Sequence, residues 1–290
     1  QRAAIQAHTD VPVLGWAPER PEIRIPERHL GLHQPHELPG LDETLDRLGQ
    51  ELSKTLDLEA LADLARPVPG RPFVETARPG DLPVALGRDE AFSFCYADTL
   101  DRLERLGVRW VPFSPLRERL PEGVAGLYLP GGYPELHAAT FAANRALHAD
   151  LRRAHGAGLP ILAECGGYLA LGETLVDLEG CAHPMAGVIP GRFRMTGSLQ
   201  SFGYQRLHVL RDTLLAPEGA EGRAHGFHHS VREDAPTSPA WHAANLRGEG
   251  APEGHAEGNL LASYAHLHFG ANPGWAEAWV DRMKAWKGRG

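Results

Sequence analysis

The sequence has 290 residues, a formal net charge of −8 and 42% hydrophobic residues. A chain of this length suits two modest domains, or one domain and part of another. Its charges are mixed and form no basic stripe, so nucleic acid is not an expected partner. No stretch approaches the roughly 20 apolar residues that a membrane span needs, so no membrane partner is expected either.

The cysteines and the first residues indicate the cellular setting. The three cysteines are Cys95, Cys165 and Cys181. Such an odd and sparse set argues against a disulfide framework and predicts the reducing cytoplasm. The chain begins Gln1-Arg2-Ala3, with neither an initiator Met nor a signal-peptide pattern. We therefore interpret its start as a cut made inside a longer chain.

The first 66 residues predict one strand followed by helices. Val11 to Trp16 reads as a buried strand closed by a turn. Leucines at three- and four-residue steps predict helices over 41–65, with Asp57 as the N-cap of the second. Residues 67–83 hold prolines and glycines at a density that neither a helix nor a central strand sustains. This segment is the predicted linker and domain boundary.

From residue 84 onward the pattern alternates between strands and helices. Strands are predicted at 84–86, 108–112, 126–129 and 160–163, and helices at 96–106, 134–156 and 168–175. This order predicts an α/β fold, a parallel sheet with helices on both faces. Residues 186–262 carry shorter strands that favour antiparallel pairing, and 273–287 predict an amphipathic helix.

The segment 161–169, Ile-Leu-Ala-Glu-Cys-Gly-Gly-Tyr-Leu, has the layout of a nucleophile elbow. A buried strand runs into Cys165 and two glycines, and then a helix begins. The sharp turn would expose the thiol at the carboxyl end of the sheet, and the helix N-terminus would lower its pKa. The alternative is a buried structural cysteine before a helix.

A second segment, Leu127 to Glu135, ends a strand in Pro-Gly-Gly. Glycines at such a position leave backbone N–H groups bare and permit positive φ. The N–H of Gly132, completed by that of Gly166, could form an oxyanion hole. An ordinary strand-to-helix turn is the alternative.

Histidines supply the third signal. His266 and His268 are two residues apart in a segment with strand-like alternation, so their side chains point to the same face. A cysteine nucleophile needs a base from elsewhere in the chain. The alternative is a pair of surface or metal-binding histidines. A further cluster, His225, His228 and His229, lacks the accompanying Cys and carboxylate spacing of zinc sites. A polar loop lining the substrate site is the favoured reading, and no metal is expected.

Together these segments resemble the cobyrinic acid a,c-diamide synthases of cobalamin biosynthesis. The matching stretches are Ile25-Pro26-Glu27-Arg28-His29-Leu30-Gly31-Leu32, Leu129-Pro130-Gly131-Gly132-Tyr133-Pro134-Glu135, Ala163-Glu164-Cys165-Gly166-Gly167, Phe227-His228-His229-Ser230 and Ala262-Ser263-Tyr264-Ala265-His266-Leu267-His268-Phe269. Their order and spacing agree along nearly the whole chain, which is far more specific than any single motif.

The resemblance implies two parts. Residues 84–290 would form a flavodoxin-like class I glutamine amidotransferase domain of the triad type, with a mostly parallel sheet. Residues 1–66 would be the C-terminal remnant of a P-loop-type, ATP-dependent amidoligase domain. The sequence holds no Gly-x-x-x-x-Gly-Lys-Ser/Thr motif. Mg-ATP would therefore serve the full-length enzyme through residues outside this chain.

The resemblance also assigns roles. Cys165 would attack the side-chain amide of glutamine, and His266 would be its base. Related amidotransferases place an orienting carboxylate two residues after that histidine, where this chain has His268. The ammonia would pass to the enzyme's own N-terminal amidoligase domain and amidate the a and c carboxylates of cobyrinic acid. A homodimer stays open.

Three departures and three rival functions accompany the resemblance. The family often has Glu where Gly226 stands, and tends to have Tyr where Cys95 and His229 stand. One rival is the same chemistry on hydrogenobyrinic acid or nickel-sirohydrochlorin. The other rivals are a stand-alone flavodoxin-like cysteine hydrolase, which would not need residues 1–66, and a non-catalytic module, which would not need Cys165 and His266.

Overall fold

The computed structural model describes residues 1–25, 35–65 and 80–288. The chain divides into two compact units, residues 1–74 and 75–290, and the division falls within the interval predicted as a linker. Residues 66–79, which include most of the predicted linker at 67–83, lie outside the described residues. So do residues 26–32 of the first family motif.

The first unit consists of short helices. They are α1 (Arg2–His8), α2 (Leu41–Leu52) and α3 (Leu58–Leu64), with single 3₁₀ turns at Pro21–Ile23 and Pro35–Glu37. The strand predicted for 11–16 is wrong. Only Gly15 makes a β-bridge, with Leu56, and Val11 and Trp16 are more than 60% exposed. A strand needs a neighbouring strand along its length, and within the described chain residues 11–16 form only this single bridge.

Helix α3 begins where the sequence predicts. The Asp57 carboxylate accepts a hydrogen bond from the Ala60 N–H at 3.0 Å, the usual contact of an N-cap. The Asp57 N–H donates to the Leu14 carbonyl, and the Thr55 hydroxyl donates to the Trp16 carbonyl at 2.7 Å. These bonds hold the segment after α1 against the start of α3.

The second unit carries all the strands of the described chain. In order, its elements are β1 (Leu82–Gly87), α4 (Ala97–Arg105), β2 (Val108–Phe113), β3 (Gly126–Leu129), α5 (Ala138–Ala143), α6 (Arg145–Gly156), β4 (Ile161–Glu164), α7 (Gly166–Leu171), β5 (Thr174–Val176), β6 (Ala182–Pro184), β7 (Arg192–Met195), β8 (Ser201–Val209), β9 (Glu221–His228), β10 (Ser230–Arg232), β11 (Trp241–Asn245), β12 (Gly250–Glu253), β13 (His255–Glu257), β14 (Leu260–Ser263), β15 (His266–Leu267) and α8 (Trp275–Lys287).

The central sheet has six strands in the order β13-β14-β4-β3-β1-β2. Strands β1, β2, β3, β4 and β14 run parallel, and only β13 is antiparallel. The predicted mostly parallel sheet is therefore confirmed. Because parallel strands end at one edge, the loops that follow β3, β4 and β14 meet there.

Helices cover both faces of this sheet, because neighbouring side chains along each strand point to opposite sides. Leu127 and Ile161 pack into the core beneath α5, α6 and α7, with Phe141 at its centre. Tyr128 and Leu162 point the other way, into the core that contains Trp279 of α8 and side chains from α4. The side chains of β3 and β4 thus pack into two separate cores, one on each face of the sheet. This packing on both faces holds the ends of the two strands in place.

Two smaller sheets extend the unit. One has the order β12-β11-β8-β9-β15 and is antiparallel, which confirms the expected pairing for most of residues 186–262. The expectation of shorter strands was wrong, because β8 and β9 are the longest strands of the described chain, and β14 pairs in parallel within the central sheet. The other has the order β10-β7-β5-β6 and contains one parallel pair, β5 with β7. Strand β15 adds only two residues to the antiparallel sheet, yet those residues bring His266 beside β9.

Several predicted boundaries shift for local reasons. The strand expected from residue 84 begins at Leu82, and Pro83 lies inside it with its carbonyl accepting from the Ala125 N–H. The single helix expected over 134–156 is broken at Asn144, whose side chain caps α6 through the Leu147 N–H and donates to the Pro115 carbonyl. Helix α7 ends at Leu171, and β5 then begins at residue 174.

In the described ranges, no helix combines the length and the apolar character needed to cross a bilayer.

Candidate active site

Three loops at the carboxyl edge of the central sheet form the candidate site. Cys165 follows β4, Gly131 and Gly132 follow β3, and His266 follows β14. Strand β4 lies between the other two, paired in parallel with both. The strand order therefore brings together residues that are far apart in the sequence.

The turn at Cys165 has the strained backbone of an elbow. Its φ of 45° is the only positive φ of a non-glycine residue in the described chain, and its ψ is −100°. The Cys165 N–H donates to the Ser263 carbonyl at 2.7 Å, which ties the turn to the end of β14. A Cβ atom at Gly167 would lie 2.2 Å from the Leu129 carbonyl oxygen, so only glycine allows α7 to pass this close to β3.

The thiol of Cys165 lies inside the protein, facing strand β9. Its Sγ is 3.7 Å from the Phe227 carbonyl oxygen, to which the thiol donates. Burial raises the pKa of this thiol to about 12, and the Glu135 carboxylate acts in the same direction. The expectation of a lowered pKa was wrong, because desolvation outweighs the Gly166 N–H at the start of a six-residue helix.

The two predicted oxyanion donors lie side by side. A Cβ atom at Gly166 would be 3.0 Å from the backbone nitrogen of Gly132. Gly132 has a φ of 153°, and a Cβ atom there would be 2.1 Å from the Ala91 carbonyl oxygen, so a larger residue does not fit. The N–H groups of Gly132 and Gly166 thus belong to one small region beside the thiol.

His266 and the elbow both lie beside Gly131. A Cβ atom at Gly131 would be 2.6 Å from Cε1 of His266 and 3.6 Å from Cβ of Cys165. The imidazole is 4% exposed and packs edge-on against Phe94, with ring centroids 4.9 Å apart. Burial lowers the pKa of His266 to about 3, and His225 across β9 adds to the effect. The resting imidazole is therefore neutral.

A buried carboxylate that the sequence reasoning passed over also belongs to the site. Glu164, the last residue of β4, is 2% exposed. Its Oε2 accepts from the Tyr128 hydroxyl at 2.9 Å and lies 4.0 Å from Nδ1 of His266, and its Oε1 accepts from the Leu267 N–H at 3.2 Å. Burial raises its pKa to about 8. The available signal was a lone acidic residue at the end of an apolar strand.

His268 lies away from this buried group. Its side chain is 45% exposed, its Nε2 is 3.6 Å from Oδ2 of Asp98, and its ring packs edge-on against Tyr96. Of the two predicted strand histidines, His266 thus lies within the site and His268 at its rim.

The remaining histidine cluster has its own contacts. The His228 ring stacks on Tyr264, with centroids 3.8 Å apart, and its Nδ1 is 2.8 Å from the Ser230 carbonyl oxygen. Burial lowers the pKa of His228 to about 4. In residues 1–25, 35–65 and 80–288, no three His, Cys, Asp or Glu side chains group in a metal-binding arrangement.

Two of the three departures from the family pattern have a visible setting. A Cβ atom at Gly226 would meet Ser201 Oγ at 2.5 Å and Gln205 Nε2 at 2.6 Å, so these side chains occupy the space of a larger residue. Cys95 is half-buried, and burial together with the nearby Glu164 raises the pKa of its thiol. The His229 backbone carbonyl accepts from the Thr196 N–H. Nothing in the structure explains why a histidine stands at this position in place of tyrosine.

A cavity of about 560 Å³ opens beside His266. Aromatic and basic side chains line it, among them Tyr96, Tyr204, Arg206, Arg223 and His225. The base side of the site is therefore reachable from a chamber of small-molecule size.

Comparison with known proteins agrees with this geometry. The family model of the CobB/CobQ-like glutamine amidotransferase domain matches residues 83–274. The chain belongs to this family. Apart from Leu82, the CobB/CobQ-like domain thus covers the central sheet, and it covers every residue of the candidate site named above.

Longer relatives of this CobB/CobQ-like chain are also known. A cobyrinate a,c-diamide synthase of Dehalococcoides mccartyi is 39% identical over 297 residues, covering 98% of this chain and 64% of the relative. One of Salmonella typhimurium is 40% identical over 289 residues, covering 96% and 62%. The chain thus spans less than two thirds of their length.

A solved structure described as a glutamine amidotransferase superposes with a TM-score of 0.50 at 18% identity, covering 69% of this chain and 98% of that one. At this identity the likeness concerns the fold alone. It confirms the predicted class I amidotransferase fold.

Proposed function

We propose that this chain is the glutamine-hydrolysing part of a cobyrinate a,c-diamide synthase. The observation that carries the proposal is the meeting of Cys165, His266 and the Gly131–Gly132 loop at one edge of the sheet. The relatives with that name support the substrate assignment. Residues 1–66 would be the end of the preceding amidoligase domain.

The first step would form the nucleophile. The Cys165 proton moves from Sγ to Nε2 of His266, and the thiolate attacks the side-chain amide carbon of glutamine. The amide oxygen takes up negative charge, and the N–H groups of Gly132 and Gly166 would stabilise it. Burial keeps thiol and imidazole neutral at rest, so the transfer would accompany substrate binding.

The second step would release ammonia. The imidazolium of His266 donates its proton to the amide nitrogen as the carbon–nitrogen bond breaks, which leaves a γ-glutamyl thioester on Cys165. Water then attacks the thioester with His266 as base, and glutamate leaves with regeneration of the thiol. Atoms and protons balance without any further reactant.

The ammonia would amidate the a and c carboxylates of cobyrinic acid. These carboxylates need activation, for which the resemblance implies Mg-ATP. The 290 residues contain no phosphate-binding Gly-x-x-x-x-Gly-Lys-Ser/Thr motif, and the described part of the chain has no metal-binding group of side chains. These residues do not fit Mg-ATP, and no step at this site involves it.

Glutamate release tests the glutaminase assignment. The wild-type chain should hydrolyse glutamine, Cys165→Ser should lose the activity, and Cys181→Ser should keep it because Cys181 is exposed and outside the site. A diazo-ketone analogue of glutamine should attach to Cys165, as peptide mapping would show. Attachment to Cys95 or Cys181 instead would contradict the assignment.

The tetrapyrrole can be identified separately. The chain would be combined with an ATP-dependent amidoligase domain of a relative and with glutamine labelled in its amide nitrogen. Label should enter cobyrinic acid at two carboxylates, as mass spectrometry would show. Faster incorporation into hydrogenobyrinic acid or nickel-sirohydrochlorin would reassign the substrate and leave the glutaminase result intact.

A further inference from the structure

We infer that Glu164 is the positioning residue of His266, the carboxylate that orients the imidazole and balances its charge when it takes the thiol proton. The inference rests on the proposed glutaminase function, in which His266 is the base. The geometric basis is that Oε2 of Glu164 lies 4.0 Å from Nδ1 of His266, with both side chains 5% exposed or less.

The carboxylate is fixed on two sides. The Tyr128 hydroxyl on β3 donates to its Oε2 at 2.9 Å, and the Leu267 N–H on β15 donates to its Oε1 at 3.2 Å. Leu267 is the next residue after His266, so the second bond attaches the strand of the base to the strand of the nucleophile. Glu164 thus fixes the backbone next to His266 through Leu267, and its carboxyl group occupies the space beside the imidazole ring.

The imidazole complements this arrangement. Nδ1 of His266 is buried and has no hydrogen-bond partner among the described residues. A buried polar atom without a partner is costly, and catalytic hydrogen bonds are often long before substrate binds. An approach of roughly 1 Å would bring Nδ1 and Oε2 to hydrogen-bond distance. Nδ1 would then carry the proton, leaving Nε2 to accept from Cys165.

His268 does not fill this place. Its ring contacts Tyr96, and its Nε2 faces Asp98 at 3.6 Å on the exposed side of the site. The acidic group that related amidotransferases place two residues after the base is, in this chain, supplied by the residue that precedes the nucleophile.

The charge that forms on His266 during the reaction explains why a carboxyl group beside its ring is useful. The titratable groups around the His266 ring are Glu164 and Cys165 at the end of β4, and His225 and His228 on β9. Burial alone raises the pKa of Glu164 and lowers that of His266, so neither ion is stable by itself. At neutral pH Glu164 therefore mainly holds its proton at rest. A positive charge forming on His266 lowers the pKa of the carboxyl group beside it, so Glu164 releases its proton to solvent and compensates the imidazolium, as in other nucleophile–histidine–carboxylate sites.

Glu164→Gln tests the inference, because the amide keeps the shape and can still bond to Tyr128 and Leu267 while the charge is lost. The readouts are kcat and KM for glutamine hydrolysis, and kinact and KI for the diazo-ketone analogue on Cys165. We expect kcat and kinact to fall by about 10²-fold or more with KM and KI within about threefold. The melting temperature of the variant should not fall below that of the wild type.

Two controls separate the explanations. Asp150→Asn removes another carboxylate that is 2% exposed, on α6 and paired with Arg119, and should leave kcat and kinact unchanged even if it lowers stability. If Glu164→Gln does not fold, Tyr128→Phe removes one of the two bonds to the carboxylate and should lower kinact by about tenfold.

Wild-type values of kcat and kinact in Glu164→Gln would overturn the inference. It would also be overturned if kcat fell by about 10²-fold in His268→Asn and stayed at the wild-type value in Glu164→Gln. In either case Cys165→Ser would still be inactive, so the proposed function would stand. A wild-type chain that neither hydrolyses glutamine nor reacts with the analogue would instead contradict the proposed function itself.

Discussion

Gly131 lies directly against the imidazole of His266. A Cβ atom at Gly131 would be 2.6 Å from Cε1 of that ring and 3.4 Å from its Nδ1. The same ring packs edge-on against Phe94, with centroids 4.9 Å apart. This glycine therefore sets the position of the proposed base without contributing a side chain.

Gly131→Ala should consequently impair catalysis more than folding. The added methyl group displaces the His266 ring, and we expect kcat for glutamine hydrolysis to fall by about 10²-fold. The matched control is Gly156→Ala at the end of α6, where a Cβ atom meets nothing within 4 Å. An equal loss of kcat in both variants would contradict this reading of Gly131.

Cys165→Gly should be more stable than Cys165→Ala, although both remove the nucleophile. At a φ of 45° and ψ of −100°, any side chain strains the backbone, and glycine relieves it by about 1 kcal/mol. Urea unfolding of the two variants measures the difference. At the exposed Cys181, which lacks a positive φ, the order should be reversed because glycine costs more chain entropy.

Iodoacetamide and the glutamine analogue should select different cysteines. Only a thiolate reacts, and burial raises the pKa of Cys165 to about 12. At pH 7.5 without glutamine, iodoacetamide should therefore modify the exposed Cys181 first, whereas the diazo-ketone analogue should modify Cys165. Peptide mapping at short times would show both. Faster alkylation of Cys165 than of Cys181 would mean that its thiolate is already formed at rest.

Glu164→Gln should become relatively more stable as the pH rises from 5 to 8. The folded pKa of Glu164 is raised by burial from 4.5 to about 8, so between these values the folded state holds a proton that the unfolded state has lost. That difference costs the wild type stability with increasing pH, and glutamine at 164 does not titrate.

The gain should be about 3 to 4 kcal/mol between pH 5 and pH 8, measured as the difference in unfolding free energy between variant and wild type. Asp150→Asn should not show it, because its Arg119 partner lowers the pKa of Asp150. A difference between Glu164→Gln and the wild type that does not change with pH would show that Glu164 is already ionised in the folded protein.

Local patterns predicted much of the fold. Strand-to-helix alternation, the Asp57 cap and the elbow at Cys165 each depend on neighbouring residues, and the structure shows all three. The expected strand at 11–16 failed because a strand depends on a partner from elsewhere. The expected helix over 134–156 failed because Asn144 finds the Pro115 carbonyl, a contact that no local pattern contains.

By itself, the sequence determined that a cysteine followed by two glycines stands in a strand–turn–helix, with histidines on a later strand. The tertiary structure decided which of these groups meet. Because β14 inserts beside β4, Glu164 reaches Leu267, 103 residues later, while His268 ends at the exposed rim. Burial likewise decided the protonation of the thiol, the imidazole and the carboxylate, since desolvation depends on everything that surrounds a group and not on its neighbours along the chain.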